Sequence, residues 1–397
     1  MGATPQVDVP QVDVAVVGGG IAGLWLLARL QAKGYGAVLV EADGLGGGQT
    51  LASQGIIHGG LKYALDLKLN AASDALADMP ARWRACLDGR GEVDLGGLQP
   101  AAARHLFWTR RTLGSRIAGF FGSKLLRGRV DALQPADWPA VLRDPDHVAA
   151  VYALDEMVLD VPQLLQALAA PRQALIRQGR VALRSQDEAG ATLDVALSDG
   201  SHRTLLARHA VVTGGAGNAD MLAGLGLPAA TAQLRPLHML MIDNAPGPLW
   251  AHCFDASDKP RVTITTHRRG DGTLVWYVGG LLAETGVAQD EASLIAAARA
   301  EFAMLLPGAD FSNSRFAGLR VDRAEGATAD GRKPDGPVLH HAGRVWLAWP
   351  TKLALAPQLA DLVLAELPPP SGATAAPPGD WPAPGIAPPP WECASWK

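Results

Sequence analysis

The feature that most constrains this chain is a glycine-rich turn near its start, Gly18-Gly19-Gly20-Ile21-Ala22-Gly23. Residues 12–17 before the turn are mostly β-branched and predict a buried strand, and residues 24–31 after it carry apolar side chains at helical spacing. A second apolar run at residues 37–40 ends in Glu41. The order of strand, glycine turn, helix, strand and acid is that of a dinucleotide-binding βαβ unit.

Each part of this unit has a physical reason. Gly18 allows a sharp turn out of the strand, Gly20 lets a pyrophosphate approach the backbone, and Gly23 lets the helix pack closely on the sheet. The N-terminus of the helix offers free N–H groups and a positive dipole end to the phosphates. Glu41 follows Gly23 by eighteen residues, near the spacing expected of an acid that accepts hydrogen bonds from a ribose. We therefore predict a dinucleotide site here, against the alternative of a glycine turn that binds nothing.

Two later stretches also have the composition of a backbone segment that lies close to a ligand. Residues 44–63 are dense in glycine and hydroxyl side chains, although an ordinary glycine-rich loop has the same composition. Residues 209–213 predict a buried strand that runs into Gly214 and Gly215 and then into a helix. This second strand and glycine turn is a further place at which a cofactor can meet the backbone.

The composition is typical of a globular protein without a marked charge. Of the 397 residues, 48% are hydrophobic and 19% are charged, and the formal net charge is −4. This length suits two domains, and the charge gives no reason to expect a nucleic-acid partner. Cys86, Cys253 and Cys393 are too scattered for a disulfide framework or a metal knuckle, so we predict no metal site.

The sequence also lacks the signals of a membrane protein. No apolar run approaches the length of about 20 residues that a membrane-spanning helix needs. The N-terminus has neither the charged segment nor the continuous apolar segment of a signal peptide. We therefore expect a cytoplasmic protein without an integral membrane segment, and the sequence leaves peripheral membrane contact open.

Periodicity and turn signals predict the remaining elements. Helices are expected at five places, the first kinked or split by Pro80: residues 71–91, 160–178, 219–225, 291–306 and 357–367. Strands are expected at seven: residues 181–195, 203–207, 235–242, 262–266, 274–279, 316–323 and 345–349. From residue 368 the chain is rich in proline and predicts an extended tail without its own core, whose Trp381, Trp391 and Trp396 suggest that it lies across the folded body.

Taken together, these features resemble the FAD-dependent oxidoreductases with the D-amino-acid-oxidase (DAO) type of fold. That family includes glycine and sarcosine oxidases, 2-hydroxyglutarate oxidases and flavin-dependent glycerol-3-phosphate dehydrogenases. The resemblance covers about residues 12–367. It implies an oxidoreductase (oxidase or dehydrogenase) that takes hydride from a C–H bearing an amine or hydroxyl on a small anionic substrate, such as an amino acid or a 2-hydroxy acid. O2 and a quinone both remain open as the electron acceptor.

The implied fold is α/β (α+β overall), with a Rossmann-like FAD-binding domain and a smaller substrate domain built on a mainly antiparallel sheet. We expect the FAD-binding domain at residues 1–90, 150–232 and 325–367, the substrate domain at 91–149 and 233–324, and the tail at 368–397. The FAD is expected to be non-covalent, because no cysteine or histidine lies beside the C-terminal flavin loop. A residue near His58 is the one exception.

The closest local match is to the glycerol-3-phosphate dehydrogenases. Residues 56–63, Ile-Ile-His-Gly-Gly-Leu-Lys-Tyr, are similar to their His-Gly-Gly-Leu-Arg-Tyr segment, which implies that Lys62 faces the substrate anion. His58 is a candidate for the flavin edge, and the alternative is that it hydrogen-bonds the glycine loop. The segment Ala317-Gly318-Leu319-Arg320 resembles their Gly-Leu-Arg, whose arginine also faces the substrate. Thr351-Lys352-Leu353 resembles a Gly-Lys-Leu segment beside the flavin.

Two departures from that pattern bear on the substrate. Lysine stands at position 62 where those dehydrogenases have arginine, which removes the bidentate fork for phosphate or carboxylate. Pro350 and Thr351 replace the glycines expected before Lys352. The resemblance therefore implies the fold and the cofactor more strongly than it implies glycerol 3-phosphate.

These arguments give a set of predicted site residues. The candidate catalytic residues are Lys62, His58, Arg320 and Lys352. The candidate cofactor-binding residues are Gly18, Gly20, Ile21, Ala22, Gly23, Glu41, Ala42, Gly48, Gln49, Thr50, Ser53, Gln54, Gly55, Val181, Gly214, Gly215, Lys352 and Leu353.

Three other functions stay open at this point. One is a dehydrogenase of the glycerol-3-phosphate type, which the lysine at position 62 makes less favoured. Another is a flavin-binding subunit of a larger complex, whose tail docks onto a partner. The last is an NAD-binding reductase, against which the absence of a second complete Gly-x-Gly-x-x-Gly unit argues.

Overall fold

The computed structural model describes residues 11–59, 76–111, 130–226, 231–254, 259–372 and 381–397. Lys62, one of the candidate substrate contacts, lies outside these ranges. In the first part of the chain the elements are, in order, β1 (Gln11–Val17), α1 (Ile21–Ala32), β2 (Ala37–Glu41), β3 (Ile56–Ile57), α2 (Met79–Leu87), β4 (Leu106–Arg110), β5 (Val130–Ala132), β6 (Val148–Leu154), β7 (Met157–Val158), α3 (Val161–Ala169), β8 (Ile176–Gln178), β9 (Arg180–Gln186), β10 (Ala191–Ala196), β11 (His202–Val212) and α4 (Asn218–Gly224).

The second part of the chain contributes further long strands and three helices. They are β12 (Ala232–Asp243), β13 (Ala251–Phe254), β14 (Val262–Arg268), β15 (Leu274–Gly279), α5 (Leu281–Thr285), α6 (Glu291–Leu305), β16 (Arg315–Gly326), β17 (Val338–Ala342), β18 (Val345–Trp349) and α7 (Ala356–Glu366). The helix predicted at residues 291–306 forms as α6, and Asp290 caps it by accepting a hydrogen bond of 2.8 Å from the Ser293 N–H.

The first sheet is built around β1, as the glycine motif predicts. Its strand order is β17-β18-β11-β1-β2-β8, and β1 is parallel to both β2 and β11. The β1 interior is buried on both faces, which explains its continuous run of β-branched residues. Because these strands are parallel, their carboxyl ends meet at one edge of the sheet, beside the point where chain connections diverge on either side of β1.

The second sheet is mainly antiparallel, with the order β16-β12-β15-β14-β13-β4-β6-β5. Its outer face packs Trp276 and Val278 under α6. The opposite face, here called the inner face, carries His252, Thr263 and Tyr277. It is turned toward the first sheet, since the Tyr277 hydroxyl donates to the Ala52 carbonyl at 2.9 Å.

One helix prediction needs correction and another is confirmed. The helix expected over residues 160–178 ends at Ala169, and after a short 3₁₀ segment with Pro171 in its first turn the chain forms β8. Proline lacks the N–H that would continue the α-helical ladder, which accounts for the early end. The split predicted at Pro80 is present: Pro80 lies in the first turn of α2, directly after a break in the helix at Asp78.

Residues 381–397, here called the C-terminal strap, cross both sheets. Trp381 packs into the core beneath the first sheet, and the strap then pairs with the loop after β2, where the Leu45 N–H donates to the Gly385 carbonyl at 2.9 Å. Trp391 is buried against the inner face, and Lys397 pairs its backbone with Phe316 of β16. The tail thus lies across the folded body, as its tryptophans suggest.

Candidate cofactor and active site

The glycine turn after β1 is shaped by steric limits. Gly18 has a φ of +107°, and a Cβ there would lie 2.8 Å from the Gly214 nitrogen. A Cβ on Gly23 would lie 2.0 Å from the Gly18 carbonyl oxygen, so α1 can pack this close only with glycine at that position. The turn after β11, which contains Gly214, therefore lies directly beside the turn after β1.

The N-terminus of α1 is arranged to receive an anion. Gly20 at its N-cap provides no side-chain cap, and the first turn holds no acidic residue. The Thr50 hydroxyl accepts a hydrogen bond from the Ile21 N–H at 3.0 Å, which ties the loop of residues 44–55 to the start of the helix. The positive end of the helix dipole is thus not neutralised by a neighbouring carboxylate of the helix itself.

Glu41 is held at the side of this turn by two backbone N–H groups. Its carboxylate accepts from Gly19 at 2.5 Å and from Asp43 at 3.0 Å. The carbonyl of Glu41 accepts from Gly179, so Val181 at the start of β9 follows close behind. This side of the glycine turn therefore has the acid and the neighbouring backbone that an adenosine ribose requires.

On the other side of the glycine turn, the backbone of Gly215 lies beside the Gln49 side chain. A Cβ on Gly215 would lie 2.9 Å from the Gln49 side-chain oxygen, and a Cβ on Gly48 would meet no atom within 4 Å. These positions lie around the carboxyl ends of β1 and β11. The glycine turns of the three stretches thus lie side by side at the carboxyl ends of β1 and β11, and we call them the cofactor cradle. A dinucleotide-binding βαβ unit holds its pyrophosphate at this position.

The opposite end of the site lies where β3 meets the second sheet. Gly55 has a φ of +69°, and a Cβ there would lie 2.3 Å from the Leu159 carbonyl oxygen. The Gln54 side-chain amide donates to the carbonyls of Thr263 and Tyr277, both at 2.9 Å. This segment therefore connects the cofactor cradle to the inner face.

Lys352 lies next to the same segment. The turn of residues 353–355 packs against β3, and α7 begins directly after it with Pro357 in the first turn. Thr351 has a φ of +66°, an unusual value for a β-branched residue, at a position where the glycerol-3-phosphate dehydrogenase pattern has glycine. Its hydroxyl donates to the Gly336 carbonyl at 2.7 Å, which fixes this conformation.

A group of titratable side chains meets between β3 and the inner face. We call His58, His105, Glu156 and His252 the histidine–glutamate cluster. The Glu156 carboxylate accepts the Gly59 N–H at 2.9 Å and lies 3.3 Å from Nδ1 of His58. The His58 and His252 rings are parallel with centroids 6.2 Å apart, and the His105 and His252 centroids are 4.3 Å apart.

Burial controls the charges in this cluster. Burial alone would raise the pKa of Glu156, but the charge and hydrogen bond of His58, with smaller contributions from His105 and Gly59, together hold that pKa below its usual range. Burial lowers the pKa of His105 to about 4, so this ring is neutral at neutral pH. The cluster therefore combines one buried carboxylate with at least one uncharged histidine.

The cluster is also compact. One donor atom each from His58, Glu156 and His252 lies within 4.8 Å of the others. Both oxygens of Glu156 already accept hydrogen bonds from within the protein, at Gly59 and His58. The contacts of Glu156 with Gly59 and His58 are thus hydrogen bonds within the protein.

Arg320 lies elsewhere. It is opposite His238 in the register of β12 and β16, on the outer face of the second sheet. Its guanidinium donates to the carbonyls of Val287 at 3.0 Å and Gln289 at 2.5 Å. The structure therefore does not bring Arg320 together with the histidine–glutamate cluster, because strand alternation turns it to the other face.

Sequence reasoning missed three members of the cluster: His105, Glu156 and His252. Glu156 stands 98 residues from His58 in the chain, and only the β3–β7 pairing makes them neighbours. The acidic pair Asp155-Glu156 between two apolar runs, residues 148–154 and 157–159, is the one sequence signal for it. The strand that carries His252, β13, was not predicted.

Three aromatic rings adjoin the cluster on the same side of the sheet. Phe107 lies 5.7 Å from Tyr152 and 5.1 Å from Phe254 between ring centroids, and Phe254 lies 5.9 Å from the His252 ring. These rings give the inner face an apolar wall beside its titratable groups. Separately, none of the helices in the described ranges is both long and apolar enough to span a lipid bilayer.

Comparison with known proteins agrees with this architecture. The family described as "FAD dependent oxidoreductase" (DAO) matches residues 13–363. A probable FAD-dependent oxidoreductase of Pseudomonas aeruginosa is 48% identical, over 96% of this chain and 98% of that protein. A crystal structure of an FAD-dependent oxidoreductase from the same organism matches with a TM-score of 0.83 and 42% identity, covering 98% of this chain and 99% of that one.

More distant matches share the fold or a segment. The crystal structure of glycine oxidase from Geobacillus kaustophilus has a TM-score of 0.64 at 19% identity, covering 90% of this chain and 95% of that one. A glycerol-3-phosphate dehydrogenase of Pseudomonas tolaasii is 39% identical over 76 residues, which is 19% of this chain and 14% of that protein. The βαβ cradle, the two-sheet architecture and the match over residues 13–363 lead to one conclusion: the chain belongs to the DAO family of FAD-dependent oxidoreductases.

Proposed function

We propose that this enzyme oxidises a small anionic amino acid or 2-hydroxy acid at a C–H that bears an amine or a hydroxyl, with non-covalently bound FAD. The observation that carries the proposal is the histidine–glutamate cluster, which lies where the cofactor cradle meets the inner face of the second sheet. A bound flavin supplies the two-electron chemistry by accepting hydride from carbon. The protein must then bind an anion, orient the C–H and accept a proton.

The chain offers residues for each of these tasks. In the proposal, the α1 N-terminus and Glu41 hold the pyrophosphate and ribose. Lys352 and the N-terminus of α7 stabilise negative charge on the flavin ring. Lys62, which lies outside the described residues, is assigned to the substrate anion on its sequence position alone.

Two alternatives are less well supported. A phosphate substrate is best held by paired guanidiniums, and Arg320 is occupied by two main-chain carbonyls on the outer face. The idea of a tail that docks onto a partner loses its basis, because Trp381 and Trp391 are buried against the chain's own sheets. The partial similarity to glycerol-3-phosphate dehydrogenases keeps glycerol 3-phosphate in the test below.

The proposal is tested by spectroscopy on the purified protein. Oxidised flavin bands near roughly 370 and 450 nm are expected. Anaerobic addition of glycine, sarcosine, D-alanine, proline, 2-hydroxyglutarate or glycerol 3-phosphate should bleach them with one amino or hydroxy acid. Bleaching by glycerol 3-phosphate alone would reject the proposed substrate class.

Two further measurements complete the test. After acid denaturation and ultrafiltration, non-covalent FAD passes into the filtrate, whereas yellow colour that stays with the protein contradicts that part of the proposal. Mixing the bleached enzyme with O2 or with a soluble quinone then identifies the electron acceptor. The measurement is the rate at which the flavin band at about 450 nm returns.

A further inference from the structure

We propose that Glu156 is the positioning residue of a catalytic dyad, in which it fixes His58 so that the other ring nitrogen, Nε2, takes the proton from the substrate. The inference rests on the proposed function for the chemistry, while the arrangement of the dyad can be tested without a substrate. No sequence motif points to Glu156. The argument comes from what this carboxylate contacts.

The first observation is that Glu156 binds two consecutive residues of the segment that enters the active site. One oxygen accepts the Gly59 N–H at 2.9 Å, and the other lies 3.3 Å from Nδ1 of His58. The antiparallel register of β3 and β7 pairs Ile57 with Met157. The next residue after β3, His58, therefore lies across from Glu156, the residue before β7. The carboxylate thereby fixes both the backbone after His58 and the orientation of its ring.

The second observation concerns the tautomer of His58. A carboxylate only accepts hydrogen bonds, so the contact at Nδ1 requires the proton there. Neutral His58 then carries its lone pair on Nε2, which is the basic nitrogen. The Glu156 side chain is 3% exposed and that of His58 is 26% exposed, so the acid lies behind the ring and part of the ring reaches the open side.

The third observation is the charge balance around Glu156. The titratable groups that face it are His58 from the segment after β3, His105 from the residue before β4, and His252 from β13. The adjacent Asp155 turns to Arg84 of α2, at 2.5 Å. His105 is held neutral by burial, and Nδ1 of His252 bonds the Thr263 hydroxyl at 2.8 Å.

A buried carboxylate needs a compensating positive charge. His58 is in contact with Glu156 and partly reaches the open side, so it is the group best placed to gain and lose a proton. A negative charge beside it favours the protonated ring. This arrangement strengthens His58 as a base and stabilises the imidazolium that forms when it accepts a proton.

The proton transfer balances with either kind of substrate. For a hydroxy acid, the O–H bond breaks as the Nε2–H bond forms, hydride leaves carbon for the flavin, and the product is a ketone. For an amino acid, a proton of the ammonium group passes to Nε2 first, and loss of hydride from carbon gives an iminium ion. In both cases the positive charge gained by His58 faces the Glu156 carboxylate.

The first test is nuclear magnetic resonance on the holoenzyme labelled with 15N-histidine, with the His58 signals identified from their loss in His58→Asn. The wild-type spectrum alone decides the tautomer. We expect neutral His58 to carry its proton on Nδ1, and we expect its titration midpoint to fall by about one pH unit in Glu156→Gln, because the negative charge is gone. A proton on Nε2, or an unchanged midpoint, would overturn the proposal.

The second test is kinetic, with the substrate that bleaches the flavin. Glu156→Gln should slow anaerobic bleaching by up to about 10⁴-fold, as losing the carboxylate that orients a catalytic histidine does. The acidic limb of its pH–rate profile should move to lower pH, because His58 without the neighbouring charge stays unprotonated down to a lower pH. Glu156→Asp, which keeps the charge, should hold the limb near its wild-type position and remains available if Glu156→Gln does not fold.

The matched control is Asp13→Asn, which removes another buried carboxylate at the opposite end of β1. We expect it to lower stability but to leave the pH profile in place. A Glu156→Gln enzyme that is slower at every pH with an unmoved limb would assign Glu156 a merely structural role. One equivalent of metal bound per chain, lost in Glu156→Gln, would replace the dyad by a metal centre. If no substrate is found, the tautomer and midpoint still decide the dyad.

Discussion

His267 shows at the residue scale how burial alters a single titration. It lies on the inner face, where its ring stacks on Trp391 with centroids 4.0 Å apart and its Nε2 contacts the Thr265 hydroxyl at 3.0 Å. Burial lowers the pKa of His267 to about 3. In the unfolded chain the same histidine takes up a proton at about pH 6.5.

This difference predicts an acid-sensitive contribution to stability. The contribution is complete above about pH 6.5 and is lost as the pH falls toward 3, because only the unfolded chain gains the proton in that window. His267→Gln cannot be protonated, so its free energy of unfolding should fall by about 2 kcal/mol less than that of the wild type between pH 8 and pH 5. Denaturant titrations at both pH values measure this. Equal losses in the two proteins would show that His267 contributes nothing to acid sensitivity.

Single residues also show what the sequence can and cannot predict. The roles of Gly18 and Gly23 could be predicted, because the turn, the helix and the strand that constrain them are all within a few residues. The contact of Glu156 with His58 could not, because it depends on a pairing between segments 98 residues apart. Arg320 was assigned to the substrate by resemblance, and the alternation of β16 sends it to the outer face.

At the scale of elements, α3 depends on a local cap. Asp160 stands two residues after the end of β7, and its carboxylate accepts the Gln163 N–H at 3.0 Å. Pro162 in the first turn is pre-set for the helix. Leu165 of this helix packs against the loop after β2, near Gly46. The cap therefore supports one wall of the cofactor cradle.

Removing this cap should cost stability without changing the chemistry. Asp160→Ala leaves the Gln163 N–H without its acceptor and should lower the free energy of unfolding by about 1 kcal/mol. Asp160→Asn is the matched control, since asparagine caps equally well and should stay near the wild type. Chemical denaturation of the three proteins, with the bleaching rate measured alongside, checks both statements. Equal loss in both variants would point to the charge instead of the cap.

The same scale shows where element prediction fails. Helix α6 and strands β14 and β15 were predicted closely, since their apolar residues repeat with a clear period. β13 was missed because its four residues give no alternation to detect, and β8 was missed because the helical interpretation was continued past Pro171. Short strands are defined by their neighbours in the sheet more than by their own residues.

At the scale of the whole molecule, the C-terminal strap connects the two sheets. Trp391 is 2% exposed and packs on the inner face with Met239 and Tyr277. Earlier in the strap, the Gln178 N–H donates to the Pro382 carbonyl at 2.7 Å, beside the edge of the first sheet. One short segment thus contributes to the packing of both sheets.

Substitution of the buried tryptophan should loosen this connection. Trp391→Ala removes a large side chain from the inner face and should lower the free energy of unfolding by about 3 kcal/mol. Cys393→Ser, two residues away and exposed, is the control and should have little effect. Denaturation curves, together with limited proteolysis of the strap, measure the change. A Trp391→Ala protein as stable as the wild type would mean that the strap rests on the surface without supporting it.

The position of the strap also affects the order in which the molecule can be assembled. The Ala387 N–H donates to the Leu45 carbonyl at 3.1 Å, so the strap covers the loop that leads from Glu41 into the cradle. During translation every strand of both sheets leaves the ribosome before residue 381 does. We therefore expect the loop after β2 to stay uncovered in the nascent protein until the strap has been synthesised.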